Sequence, residues 1–503
     1  RGSSPAAIER ELQVMNGIEP MSSVDRAWLL MERPAKPMMA IGLTILGQRL
    51  AYARLRDIVT ERFLAFERFR CRPVADAIGG RWVPQEDFCL DDHVISVALP
   101  GAAGQHELET LVAELAGTPL SSERPMWSFH LVDDYRGGSA LLIRIHHCYA
   151  DGIALVRVFL SLTERESKAR RTKAARSVAR QAPQTELRSG AFGELLNSLE
   201  SLYSPAVGLV EKVVSEGANV VEKGLQYALH PTEAAAALRN VAEVAAELAR
   251  IGTLTDDPPT RLKRAPSAVK HVAWGDPLPF EELRTVSRAL GCTVNDVIMA
   301  TLAGALGRYL ESQGDAVNKL MVRAAVPVNL RDSPGEALSL GNRFGLVFVE
   351  LPIGIRHPLE RLYAMRAQMQ ALKGSRQPLA TLLLLATVGS LPAPIEDPAL
   401  ALFSAKASLV VSNLPGPREQ LYMAGVPISQ LLFWVPQAGS IGVGVSILTY
   451  CNQVQFGVIA DRNLIPAPAE LVRHLHAELE RIILLVLMGP GALAEQGARH
   501  IPK

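Results

Sequence analysis

The sequence predicts an α/β protein of two domains joined by a helical connector, and three observations carry that reading. At 503 residues the chain is longer than one hydrophobic core normally grows. Residues 1–163 and 265–503 each mix helical periodicity with short strand-like runs. Residues 164–264 differ: they open with basic residues and continue Ala-rich with helical spacing, until Asp256-Asp257-Pro258-Pro259 breaks the pattern.

In the first zone, Leu50–Phe69 has helical periodicity, Ala140–Ile145 is a short apolar strand, and Ile153–Leu162 reads as a helix. Within the connector, Ala234–Leu254 has apolar residues at helical spacing. In the third zone, Pro279–Ser312 predicts one or two amphipathic helices interrupted near Gly291. Strands are expected at Leu320–Val328, Leu346–Leu351, Ala407–Val411 and Ile441–Leu448. Val454–Ile459 should pair with the last of these through a turn at Tyr450–Gln453, and Leu471–Met488 closes the chain as a helix.

The totals exclude several classes. A formal net charge of +1 and the lack of an aromatic-rich basic module argue against a nucleic-acid partner. The 5 cysteines are scattered with no CxxC pair, against a disulfide framework or zinc knuckle, so a reducing cytoplasm fits best. Arg1-Gly2-Ser3-Ser4 has no apolar stretch of the signal-peptide type. The longest apolar runs, Leu379–Leu391 and Ile482–Met488, fall short of the roughly 20 residues that span a bilayer. Any membrane contact is therefore expected to be peripheral.

Chemistry concentrates in His146-His147-Cys148-Tyr149-Ala150-Asp151-Gly152, where a strand ends and a loop precedes a helix. Successive strand side chains point to opposite faces, so only one histidine should face a given cavity. Gly152 would permit a tight loop. Three readings compete for the pair: hydrogen-bonded structural residues, a metal pair, or a general base. Adjacent histidines diverge and the i, i+4 spacing of helical zinc ligands is missing, which disfavours metal. An imidazole shuttles protons near neutral pH, and the full HHxxxDG pattern is rare by composition, which favours the base. Cys148 beside His147 offers a Cys-His nucleophile as a rival, but neighbouring side chains in an extended segment diverge.

HHxxxDG resembles the signature of the coenzyme A-dependent acyltransferase superfamily. Further blocks resemble bacterial wax ester synthase/diacylglycerol acyltransferases. These are Ser23–Gly42 (with Asp25, Trp28, Leu29, Glu32 and Pro37), Pro119–Trp127 and Thr293-Val294-Asn295-Asp296-Val297. Leu340-Gly341-Asn342-Arg343 and Val411–Pro417 complete the set. Ser121, Met126 and Ser128 depart from the family pattern, and Pro37–Gly42 lacks its histidine. The resemblance implies two similar chloramphenicol-acetyltransferase-like domains, each a mixed sheet flanked by helices, with the site in a channel between them. It implies an O-acyltransferase that moves a fatty acyl group from acyl-CoA to a long-chain alcohol or diacylglycerol. No cofactor and no metal are implied, since acyl-CoA is a substrate.

By the same resemblance His147 is the base, and His146, Asp151, Gly152 and Asp296 shape the motif. Asp151 needs a cationic partner, for which Arg343 is a candidate. Asn295 is implied to stabilise the oxyanion through its amide, although its position before the helix also fits an N-cap. Pro119, Arg124 and Trp127 line the acyl route or pack a domain edge. Ser412 and Asn413 end a strand near the channel or form a turn before Pro415-Gly416. The basic stretch Arg165–Arg180 is a solvated linker, or attracts coenzyme A phosphates or anionic headgroups. With Leu379–Leu391 it suggests peripheral attachment of a cytoplasmic protein to the inner membrane or lipid inclusions. The oligomeric state stays open, as does the choice of acceptor. Two rivals also remain: an amide-forming condensation-type enzyme and a non-catalytic lipid-droplet protein.

Overall fold

The structure, a computed structural model, describes residues 19–76, 79–165, 231–331, 340–390 and 400–488, with no side chains described over 231–241. Beyond Arg165 the basic stretch lies outside the described residues.

The strands in chain order are β1 Glu19–Pro20, β2 Met39–Leu46, β3 Cys71–Ala75, β4 Gly80–Pro84, β5 Val94–Val97, β6 Trp127–Tyr135, β7 Gly138–His146 and β8 Lys270–Trp274. They continue with β9 Leu278–Pro279, β10 Val322–Asn329, β11 Phe344–Leu351, β12 Leu409–Pro415, β13 Tyr422–Met423, β14 Val426–Trp434, β15 Val443–Tyr450 and β16 Gln453–Asp461. The helices are α1 Ser23–Leu30, α2 Tyr52–Ile58, α3 Gln105–Gly117, α4 Gly152–Ser161, α5 Pro231–Thr253, α6 Phe280–Ala289, α7 Val294–Ser312, α8 Pro358–Leu372, α9 Gln377–Val388 and α10 Pro468–Leu487.

Two mixed sheets carry the fold, as the resemblance implied. The N-terminal sheet runs β13-β14-β2-β7-β6-β5, antiparallel except for the β5–β6 pair. The C-terminal sheet runs β11-β10-β12-β15-β16-β8, with parallel pairs at β10–β12 and β12–β15. A third small sheet joins β1, β4 and β3.

The domain boundaries expected from sequence need one correction. β13 and β14 fall within the expected 265–503 domain yet complete the N-terminal sheet, with Trp434 opposite Ile41 and Ile428 opposite Leu46. The reason is physical: β2 has only β7 on its other side, and an unpaired strand edge would leave ladder donors and acceptors open. One hydrophobic cluster accordingly draws Trp28, Phe63 and Trp127 together with Leu379 and Ile428.

Local predictions hold with instructive exceptions. The hairpin turn between β15 and β16 is Cys451-Asn452, both at positive φ (50° and 57°), as a two-residue primed turn requires. Gly291, at φ 62°, separates α6 from α7. The Leu50–Phe69 helix instead breaks into α2, a π-helical turn at Val59–Phe63 and a 3-10 turn at Glu67–Arg70. That rewinding, sealed by the Leu64 N–H donating to the Val59 carbonyl at 2.9 Å, seats Phe63 against Phe69, Trp127 and Phe129.

α9 holds most of the apolar run that suggested membrane attachment. It is instead largely core, burying Leu379, Ala380, Leu382, Ala386 and Val388, and it packs against β11, α1 and α5. At its C-terminus Gly389 leaves no room for a Cβ, which would meet the Ser23 carbonyl. No single described helix is long and apolar enough to cross a membrane.

Candidate active site

β7 ends at His146, and the pair that follows splits across the sheet. His146 Nδ1 accepts the Cys148 N–H at 3.2 Å, so its Nε2 donates to Glu32 Oε2, also at 3.2 Å. His147 is anchored by its N–H to the Met38 carbonyl at 2.7 Å and lines a cavity between the two domains' elements. Cys148 is fully buried and does not line that cavity, and burial pushes its thiol well up. The Cys-His nucleophile therefore has no geometric support.

The His147 ring is held on three sides. Trp28 stacks on it with centroids 4.2 Å apart, and Phe344 lies at 5.7 Å. Asn342 closes the third side with Oδ1 2.9 Å from His147 Nδ1. The Asn342 Nδ2 group donates to the His147 carbonyl and to Asp25 Oδ1, each at 2.8 Å. With both amide hydrogens committed, Oδ1 can only accept, so His147 is the Nδ1–H tautomer and Nε2 carries the lone pair. Burial pushes the ring pKa down to about 4, keeping it neutral at pH 7. Asp25 is in turn pushed up to about 6 by burial, with the Arg68 guanidinium at 3.9 Å opposing.

Asp151 is the N-cap of α4, its Oδ1 accepting the Ala154 N–H at 3.0 Å. Its Oδ2 accepts from Arg331 Nη2 at 2.8 Å and from the Arg343 main-chain N–H at 2.9 Å. The guanidinium partner is thus Arg331; the candidate Arg343 contributes only its backbone to this carboxylate. Both Asp151 and Arg331 are buried, and Arg331 also donates to the Gly341 carbonyl at 2.6 Å. Gly152 opens α4 without positive φ, and a Cβ there would only touch Leu414 at 3.5 Å. The expected tight-loop role is absent; the missing side chain leaves space in the cavity that Gly152 lines.

From the second domain, α7 presents its N-terminus to the same cavity. Thr293, not Asn295, is the N-cap: its hydroxyl accepts the Asp296 N–H at 3.1 Å while Asp296 Oδ2 accepts the Thr293 N–H at 2.8 Å. Asn295 is thereby freed for the cavity, and its Oδ1 accepts from Asn413 Nδ2 at 3.2 Å. Ser412 and Asn413 lie inside β12 rather than in a turn.

His147, Asp151, Gly152, Asn295, Asp296, Ser412 and Asn413 all line one cavity of about 210 Å³. Met369, Leu372, Leu385, Leu400 and Phe403 add apolar lining to the same cavity. Three expected substrate residues are not brought there. Trp127 is core, its indole N–H donating to the Phe69 carbonyl at 2.8 Å and its ring stacked on His93 at 4.2 Å. Arg124 stands at the surface 3.3 Å from Asp92, and Pro119 is exposed. Among the described residues no group of three His, Cys, Asp or Glu is placed to hold a metal ion.

The family model for the wax ester synthase/diacylglycerol acyltransferase catalytic domain matches residues 21–298, more than half the chain. The chain belongs to the wax ester synthase/diacylglycerol acyltransferase family. It is an acyltransferase, and the family's C-terminal domain model matches residues 340–483. A Mycobacterium tuberculosis protein named as a diacylglycerol O-acyltransferase is 27% identical over 501 residues, covering 94% of this chain and 92% of its own. A second from the same organism is 27% identical over 426 residues, covering 83% and 84%.

The solved wax ester synthase/diacylglycerol acyltransferase of Marinobacter aquaeolei superposes with a TM-score of 0.64 at 21% identity, covering 93% of this chain and 99% of that one. A condensation domain of a calcium-dependent antibiotic synthetase shares the fold at a TM-score of 0.55 and 14% identity, covering 93% and 96%. Asp25, Trp28 and Asn342 sit in blocks that carry the family resemblance, yet nothing in a single sequence joins Asp25 to a residue 317 positions away. Arg331 and Glu32 likewise gave no signal of their role.

Proposed function

We propose that this family member moves a fatty acyl group from acyl-CoA directly to the hydroxyl of a long-chain alcohol or diacylglycerol, with His147 Nε2 as general base. One observation carries the reading: a neutral imidazole, locked as the Nδ1–H tautomer, lines a cavity that combines a few polar side chains with a largely apolar lining. The lone pair on Nε2 takes the acceptor's hydroxyl proton while that oxygen attacks the thioester carbonyl. A tetrahedral oxyanion forms. It collapses as the C–S bond breaks and the proton passes from Nε2 to the departing sulfur, giving ester and free thiol.

In this reading the Asn295 amide donates to that oxyanion; its Oδ1 accepts from Asn413, which leaves Nδ2 as the donor end. The apolar lining suits an alkyl chain, and the names of the mycobacterial relatives favour a diacylglycerol acceptor. The test is thiol release from palmitoyl-CoA with hexadecanol or dipalmitoylglycerol, alongside hexadecylamine. His147→Ala should cut the rate by about 10²–10⁴. Undiminished turnover in that variant would defeat the mechanism, and a preference for the amine would favour the condensation-type reading.

A further inference from the structure

Where the two main sheets meet, a second pocket of about 10 Å³ is lined by Lys36, Lys270, Trp434, Val435, Pro436 and Gln437, among other residues. Lys270 begins β8 and is only 6% exposed; Lys36 is half-buried in the turn before β2. Neither ammonium has a hydrogen-bond or ion-pair partner among the described residues. Two other lysines, buried Lys406 and half-buried Lys263, contrast with them. Lys406 Nζ donates to the Leu254 carbonyl and Asp256, and Lys263 Nζ to the carbonyls of Ser404 and Ala407. The chain satisfies those cations, and buried charge left unpaired is costly.

The nearest counter-charge, the buried Asp461, acts on both ammoniums through space without bonding either. Asp461 lies opposite Lys270 in the β8–β16 ladder, yet the two form no ion pair. Its Oδ1 instead accepts from Ser267 at 3.1 Å and from the Asn463 N–H at 2.9 Å. Two lysines without a direct partner thus line a space that holds one oxygen-sized group. Val435 and Pro436 line both this pocket and the reaction cavity, so the two lie on either side of the same segment.

We propose that Lys36 and Lys270 form an anion site that seats a phosphate of the nucleotide end of the acyl thioester, one oxygen in the pocket and the remainder at its mouth. This assignment rests on the acyl-CoA reading above. It makes the Lys36–Lys270 side of that segment the donor side.

Two measurements test it. The first needs no turnover: calorimetric binding of adenosine 3′,5′-bisphosphate to the full chain. The Lys36→Met/Lys270→Met variant should weaken it about tenfold or more, with Lys270→Arg retaining most of the affinity. The second compares the KM of palmitoyl-CoA with that of the palmitoyl thioester of N-acetylcysteamine, which lacks phosphate. The double Met variant should raise the first about tenfold relative to the second. Equal rises for both thioesters would mean a packing role and overturn the proposal, as would unchanged bisphosphate binding.

The same variant titrated with pyrophosphate and with phosphatidylglycerol vesicles separates the sources of phosphate. Loss of vesicle binding alone, with the palmitoyl-CoA KM intact, would overturn the donor assignment. If wild type cleaves neither thioester, the acyl-transfer reading fails while the binding measurement still reports on the site.

Discussion

Asn342 makes the sharpest test of how the base is set up. Replacing it with Ala removes the acceptor 2.9 Å from His147 Nδ1 and the two donors that hold the His147 carbonyl and Asp25. Leaving a buried polar group without its partner costs about 1–3 kcal/mol. If that cost is borne by the orientation and tautomer of the ring, the rate falls by roughly 5- to 150-fold. The loss should appear in kcat, because the contact is to the base and not to substrate. It should also stay below the ~10²–10⁴ expected of His147→Ala, and combining the two should add little.

Asn342→Asp probes the same contact with the opposite sign. A carboxylate beside Nδ1–H favours the imidazolium, so the His147 pKa rises from about 4. The base works only when neutral, so the acid limb of the kcat/KM profile should move toward neutral pH. Both variants are read by thiol release from palmitoyl-CoA with hexadecanol across pH 4–8. A wild-type kcat in Asn342→Ala, or an unmoved acid limb in Asn342→Asp, would refute the reasoning.

Three further outcomes follow from the same geometry. Arg331→Met strands the Asp151 carboxylate, and breaking a buried pair should cost about 3–5 kcal/mol in urea denaturation, where an unchanged midpoint would exclude the pairing. Burial holds folded His147 at about 4 against an ordinary 6.5, so the unfolded chain binds more protons between those values and stability is lost as pH falls through that window, by about 3 kcal/mol at most. His130 acts in the same direction, whereas Asp25 and Asp257, pushed up to about 6, gain stability on acidification. Only the difference between wild type and His147→Gln isolates the ring, and parallel stability curves would contradict the shift. Met369→Trp crowds the apolar lining and should shift preference from palmitoyl toward shorter acyl or alcohol chains in a chain-length panel, with kcat on the shorter substrates kept within about threefold; an unaltered chain-length profile would place the alkyl chain elsewhere.

Much of the fold was legible because local rules happened to agree with tertiary ones. The Tyr450–Gln453 turn, the break at Gly291 and the closing helix all follow from short-range chemistry, and each is found within a few residues of its expected place. What failed depended on partners distant in sequence. Val426–Trp434 has strand character wherever it goes; that it joins β2 rather than the C-terminal sheet is decided by an open edge almost 400 residues upstream. The leucine run of α9 reads as a surface liability until β11, α1 and α5 cover it. The π-helical turn at Val59–Phe63 answers to aromatic packing, which no helical periodicity encodes.

The site divides along the same line. The strand end at His147 was legible, whereas the capping roles of Asp151 and of the Thr293–Asp296 box were not: the first was read only as shaping its loop, and Asn295 stood as the cap candidate in place of Thr293. The residues that fix the His147 tautomer came from elsewhere. An unsupported imidazole has two tautomers of similar energy, and only one presents a lone pair where it is needed. Asn342 breaks that degeneracy, but only because Asp25 and the His147 carbonyl consume both its amide hydrogens and force Oδ1 to accept. The HHxxxDG motif therefore specifies where the ring stands, while two residues from separate blocks specify which of its nitrogens carries the proton.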